Sequence, residues 1–172
     1  TGISVPAGGN ATIIYEAATN EFTPRGNENS VVNTATVTGA GLANPVTATE
    51  SVSPVAAPDL SITKSVNPGV VAENGQLTYT FLIENYGNTE ASAADNVVIT
   101  DTFNPILTGI SVSYNGMAWA EPANYTYNET NGSFATVAGQ ITVPAATFTQ
   151  DAVTGIITTT PGTATVTVTG TI

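Results

Sequence analysis

Three residues combine the types and spacing needed for chemistry in this chain: Lys64, Asp101 and Asn33. In the run 59–66 the apolar residues Leu60, Ile62 and Val66 share one parity, and Lys64 shares it with them. On a strand, residues of one parity line one face, so Lys64 is expected to point inward. An unpaired ammonium in a core is costly, so it needs a partner. In 96–103, Asp101 has the parity of Val97, Ile99 and Phe103. In 31–38, Asn33 has the parity of Ala35 and Val37. A Lys, an Asp and an Asn brought together inside a β-protein are the reactants of a spontaneous isopeptide bond. A desolvated amine attacks the Asn carboxamide, and a protonated carboxylic acid hydrogen-bonds to that carboxamide and assists. Two simpler readings use the same residues: a buried Lys64–Asp101 ion pair, or Lys64 snorkelling at a strand end.

Other candidate chemistries are weaker. Glu90, Asp95 and Asp101 do not follow the ligand spacing of a calcium loop, so solvated loops are expected and no metal. Trp119, Tyr125 and Tyr127 could stack on a sugar or form an interface, although packing of a hairpin after Trp119-Ala120-Glu121-Pro122 is the expected role. Asn10, Asn124, Asn128 and Asn131 stand in glycosylation sequons, which an Asn- and Thr-rich composition also produces. The chain has no Cys and no His. That removes thiol catalysis, the usual structural zinc sites and the commonest general base. With the acids scattered, an enzyme is the weakest reading, and no cofactor is expected.

The elements that must position these residues are strands. Of the 172 residues, 41% are hydrophobic, enough for a real core. Short Thr- and Val-rich runs alternate apolar and polar residues between Gly, Pro, Asn and Asp. Strands are predicted at 11–17, 31–38, 46–52, 59–66, 76–85, 96–103, 109–114, 140–143 and 163–169. Turns are predicted at Glu73-Asn74-Gly75, at Asn88 and at Asn131-Gly132. This spacing reads as an all-β, immunoglobulin-like sandwich with almost no helix. The expected inward set is Leu60, Ile62, Val66, Leu77, Tyr79, Phe81, Ile83, Val97, Ile99 and Phe103.

Thirteen acidic residues against two basic ones, Arg25 and Lys64, give a net charge of -11. That balance disfavours nucleic acid and anionic lipid as partners and suits an extracellular protein. No signal peptide, apolar span or wall-sorting tail stands in the sequence, so no membrane insertion is expected and the chain reads as mature, processed or cut from something longer.

A boundary falls at residues 53–58, Ser-Pro-Val-Ala-Ala-Pro, which has the make-up of a semi-rigid linker. Residues 1–17 echo the end of the chain: ISVPAGG resembles ITVPAA at 141–146, and GNATIIY resembles GTATVTV at 162–168. On that alignment residues 1–52 are the C-terminal part of a repeat and contain possible donor strands. Residues 59–172 are then a repeat that lacks its closing strand.

The runs PDLSITKSVNPGVVAENGQLTYTFLIENYGN, NVVITDTF and VVNTATVTG together resemble the bacterial surface repeat known as domain of unknown function eleven. The segment from YTYNETNGSF to the end is similar to repeats of this type in Firmicutes surface proteins. The resemblance implies extracellular, tandemly repeated, immunoglobulin-like modules without catalytic activity. This chain departs from the family order, because NTATVTG precedes ITKSVNP. The Lys, Asp and Asn placement is also similar to B-type collagen-adhesin domains of bacterial pili, with Lys on the first strand and Asn on the last. The expectation is a secreted, non-enzymatic structural protein at a cell or spore surface or in an extracellular appendage. It would be a filament subunit joined head to tail to copies of itself by strand donation. The alternative is an adhesin or carbohydrate-binding module whose partners are other surface proteins or glycans.

Overall fold

The computed structural model describes residues 2–26 and 30–172; Thr1 and residues 27–29 of the expected first segment lie outside it. The described chain is all-β, with one 3-10 turn at Ala93–Asp95. In chain order the strands are β1 (Val31–Val37), β2 (Val46–Val52), β3 (Leu60–Asn67), β4 (Gln76–Asn85), β5 (Thr100–Thr102) and β6 (Thr108–Tyr114). They continue with β7 (Met117–Trp119), β8 (Tyr125–Asn128), β9 (Ser133–Thr136), β10 (Thr147–Gln150), β11 (Ile157–Thr160) and β12 (Gly162–Thr171).

Two sheets enclose the core. The larger has the order β3-β4-β12-β6-β7, and the smaller is β5-β9-β8. β4 and β12 form the centre because both alternate strictly. Leu77, Phe81 and Ile83 of β4 and Ala164, Val166 and Val168 of β12 are buried, while Thr residues take most of the opposite parity. On that outer face the Thr78 and Thr169 hydroxyls lie 2.9 Å apart and the Ser113 and Thr167 hydroxyls 2.6 Å apart. Such cross-strand hydroxyl pairs fasten neighbouring strands.

The smaller sheet lies over the middle of the larger. Phe103, just past β5, packs on Tyr79 of β4 with ring centroids 4.9 Å apart. Phe134 of β9 stacks over Phe81 of β4 at 6.5 Å. The turn before β9 depends on Gly132, whose φ is +74°; a Cβ there would lie 2.5 Å from the Phe103 carbonyl oxygen. That position therefore admits only glycine without displacing the backbone.

Two hairpins stand apart from these sheets, β1-β2 and β10-β11. Residues 11–17, predicted as a strand, form none, and they are exposed. Residues 140–143 form no strand either; Val143 makes a single bridge to Ala91. The predicted 96–103 strand shortens to Thr100–Thr102.

Candidate functional site at an uncovered sheet face

β3 is the edge of the larger sheet, and its inner face is open. The antiparallel register sets Ile62 opposite Ile83, Lys64 opposite Phe81 and Val66 opposite Tyr79. Opposite residues share a face. Ile83 is nevertheless 3% exposed while Ile62 is 54% exposed. Leu60 and Val66 are exposed as well. The parity expected for β3 is thus present, but the burial expected of Leu60, Ile62 and Val66 is not. The cause is the layer above: β5 covers β4, and among the described residues no strand covers β3.

At the rim of this face Lys64 and Asp101 meet. The Lys64 Nζ donates to Asp101 Oδ2 in a short ion pair, with side-chain exposures of 40% and 19%. The same Nζ sits 4.7 Å from the Tyr79 ring centroid, 5.4 Å from Phe103 and 5.6 Å from Phe81. These distances lie within cation–π range. The other Asp101 oxygen accepts from the Thr102 N–H at 2.9 Å. Of the sequence readings, the ion pair is the one present in the single chain, and Lys64 is half-open to solvent rather than buried.

Asn33 lies elsewhere. It sits on β1 opposite Glu50 of β2, and its amide donates to the Tyr15 hydroxyl. The contact that amide formation requires is therefore not made within one chain. The β1-β2 hairpin has one face formed by Val31, Val52, Ala35, Ala48, Val37 and Val46, interrupted once by the Asn33–Glu50 pair. The other face carries Thr and Ser at every position but Val32. Both strands are exposed along their whole length. An isolated two-stranded hairpin is at best marginal in water.

The aromatic candidates are occupied with packing. Trp119 stacks on Tyr114 at 5.1 Å. Tyr125 is buried against Phe134 at 5.8 Å. The Tyr127 hydroxyl donates to the Leu107 carbonyl at 2.8 Å and accepts from the Leu107 N–H at 3.0 Å. Burial first, then the nearby Glu121 carboxylate, raises the Tyr125 phenol above its ordinary value. Burial raises Tyr127 too, partly offset by the Leu107 hydrogen bond, with Glu129 adding to the rise.

The remaining polar candidates are local caps. Asp95 accepts from the Ser92 N–H and hydroxyl at the 3-10 turn. Asn128 and Asn131 accept from the backbone two residues on, and Asn124 bridges the Ala120 N–H and the Gln140 side chain. Arg25 is exposed, and its carbonyl accepts from Asn88.

Sequence reasoning missed a clamp made by Asn85 and Asn88. Asn85 is fully buried; its Oδ1 accepts from the Asp59 and Gly87 N–H groups at 2.9 Å each, and its Nδ2 donates to the Thr89 and Pro144 carbonyls. Asn88 Oδ1 accepts from the Ala57 N–H at 3.1 Å, and its Nδ2 donates to the Val55 carbonyl at 3.0 Å. Together they pin the linker to the end of β4. The available signal was parity, since Asn85 continues the inward series of Phe81 and Ile83.

No family model, no curated protein and no solved structure matches this chain.

Proposed function

We propose that this chain is a non-enzymatic structural subunit of an extracellular filament at a cell or spore surface, of the domain of unknown function eleven type, assembled by β-strand complementation. One observation carries the reading: a five-stranded sheet faces a three-stranded one, and the same chain holds a two-stranded hairpin that is exposed along its whole length among the described residues. The β1-β2 hairpin supplies two strands, the number by which the smaller sheet falls short of the larger. Adding two strands beside β5 would cover Leu60, Ile62, Lys64 and Val66, and it would bury the apolar face of the hairpin. Exposed apolar strands with free edges invite strand addition. When one copy fills the gap in the next, the contact is heterologous and does not close, so it propagates. The sandwich completed in this way is the immunoglobulin-like one. The rival reading as a sugar-binding module draws no support from Trp119, Tyr125 and Tyr127, which are engaged in packing.

Electron microscopy and size-exclusion of the full chain, against a chain lacking residues 1–52, test the proposal. The full chain forms fibres; the truncated chain stays β-rich by circular dichroism and forms none. Fibres that persist without residues 1–52 rule out donation by the hairpin.

A further inference from the structure

The contacts between the sheets fix the direction of β5 relative to β3. Lys64 is level with Phe81 in the β3–β4 register, and Asp101 is level with Phe134 in the β5–β9 register. Lys64 touches Asp101, and Phe81 stacks on Phe134. Val66 is level with Tyr79, which packs on Phe103. From 64 to 66 on β3 and from 101 to 103 on β5, the two strands therefore climb in the same direction. A strand added antiparallel to β5 runs antiparallel to β3 and lies over its inner face.

β1 and β2 fit that face differently. Running β1 antiparallel to β3 sets Val37 over Leu60, Ala35 over Ile62, Asn33 over Lys64 and Val31 over Val66. Every apolar residue meets an apolar residue, and the polar ones coincide. Glu50, the cross-strand partner of Asn33, then stands at the same level as Lys64. Running β2 antiparallel with all four of its inward residues on β3 sets Glu50 over Ile62 and Ala48 over Lys64, and sliding it two residues to bring Glu50 over Lys64 carries Val46 past the end of β3. The first leaves a carboxylate on an apolar residue, and the second leaves Leu60 uncovered.

The clamp decides whose hairpin fills the gap. In the favoured register Val52 is level with Val66, because Val52 pairs with Val31. Val55 is held by Asn88, just past the end of β4, where Asn85 pairs with Leu60. From the level of Leu60 to that of Val66 is about 20 Å along a strand. The three residues from Val52 to Val55 span at most about 11 Å. A chain with its clamp closed cannot complete itself.

We infer that β1 of one subunit adds antiparallel to β5 of the next, with Asn33 level with Lys64 and Asp101, and that Asn88 directs this addition to a neighbour. The inference rests on the filament reading and specifies its junction. In this arrangement the donor's linker leaves beyond Val66, so successive domains stack along the direction of β3.

The chain has no Cys, so cross-linking reads the register directly. With Asn33 beside Asp101, the outward Thr34 lies beside Thr100. A chain carrying Thr34→Cys is mixed with one carrying Thr100→Cys, assembled under reducing conditions, confirmed as fibres and then oxidised. The expected product is a disulfide-linked dimer of the two chains, and a ladder when both substitutions are in one chain, collapsing to a single band on reduction. With β2 on β5, the register that sets Ala48 over Lys64 places Thr49 beside Thr100, and the one slid by two residues places Ser51 there, so Thr49→Cys and Ser51→Cys, each with Thr100→Cys, are the controls. Fibres linked only by a control pair overturn the register while leaving the filament reading intact. Fibres linked by none of these pairs likewise overturn it. A link confined within single chains overturns the clamp argument and the filament reading together.

Discussion

Lys64 and Phe81 stand opposite each other on adjacent strands of one sheet face, yet Phe81 is 3% exposed and the Lys64 side chain 40%. The boundary between covered and uncovered sheet passes between β4 and β3. The only lysine in the chain thus stands where a second molecule is proposed to dock. Its ammonium is already drawn toward Asp101 and three aromatic rings, a preorganised arrangement for receiving polar groups of a partner.

This position makes the cost of losing Lys64 depend on assembly. In the unassembled chain the ion pair is partly solvated, a setting in which such pairs contribute about 0–1 kcal/mol. Adding a cation–π contribution of about 0.5–1 kcal/mol, Lys64→Ala should destabilise the monomer by about 1 kcal/mol. In fibres the pair is enclosed, and removing one partner should cost about 3–5 kcal/mol per junction. Arg25→Ala should cost little in either state. Thermal melts of monomer and fibre for both variants check this; equal losses for Lys64→Ala in the two states would contradict enclosure of the pair.

Asn88→Ala should shift the balance from fibres to closed monomers. Losing the hydrogen bonds to Ala57, Val55 and Arg25 should cost about 1–3 kcal/mol in melting experiments. It releases the linker as far as Asp59, which Asn85 still holds. Residues 52 to 59 can then span about 23–25 Å. Self-completion needs about 25 Å, from the rise between Asp59 and Val66 and the spacing between sheets, so a fully extended linker just reaches. Size-exclusion should show a larger monomer fraction and microscopy shorter fibres. Unchanged fibre length would mean that the clamp does not direct the hairpin.

The centre of the fold was legible because burial and alternation coincide there. β4 and β12 are covered on the face their parity selects, and residues 46–52 and 76–85 match their predicted bounds. On β3 the alternation was equally clear, but alternation reports only a face, and burial depends on the sheet opposite. Residues 11–17 alternate well and still form no strand, because strand formation needs a pairing edge and none is supplied to them in this chain. β8 and β9 are four residues each, set among Asn and Gly, too short for a periodic signal. The Lys64–Asp101 pair followed from parity on two separate strands. Asn88 had been readable only as a turn residue, since its partners Ala57 and Val55 are 31 and 33 residues away.

Alkaline pH should weaken the smaller sheet. The Tyr125 and Tyr127 phenols are raised above their ordinary value of 10.0 in the folded chain. A raised phenol means the folded state holds its proton more tightly than the unfolded one. Its contribution is fully present below pH 10 and is lost as pH climbs through the folded value. Stability should therefore be flat approaching pH 10 and decline above it. Tyr125→Phe removes one of the two titrating groups and should make that decline shallower in pH-dependent denaturant melts. An unchanged slope would mean that Tyr125 ionises as it does in the unfolded chain.

The last prediction concerns the chemistry of the junction. The proposed register brings Lys64, Asp101 and Asn33 to one level, the set that amide formation requires. The single chain holds Lys64 in an ion pair with Asp101, and a paired ammonium has no free electron pair with which to attack a carboxamide. The expected junction is therefore non-covalent, with Asn33 and Glu50 hydrogen-bonding to Lys64 and Asp101. Wild-type fibres boiled in detergent should return one band, and denaturing mass spectrometry should find the unmodified chain. The opposite result has a distinct signature. If the Lys64 nitrogen bonds to the Asn33 side-chain carbon, the carboxamide nitrogen leaves as ammonia. Each junction then weighs one ammonia less than its two chains, and a ladder survives boiling without any cysteine. Asn33→Ala separates the two cases. With a non-covalent junction it weakens the fibres by about the worth of a charge-assisted hydrogen bond, 1.5–3 kcal/mol. With a covalent junction it abolishes the ladder.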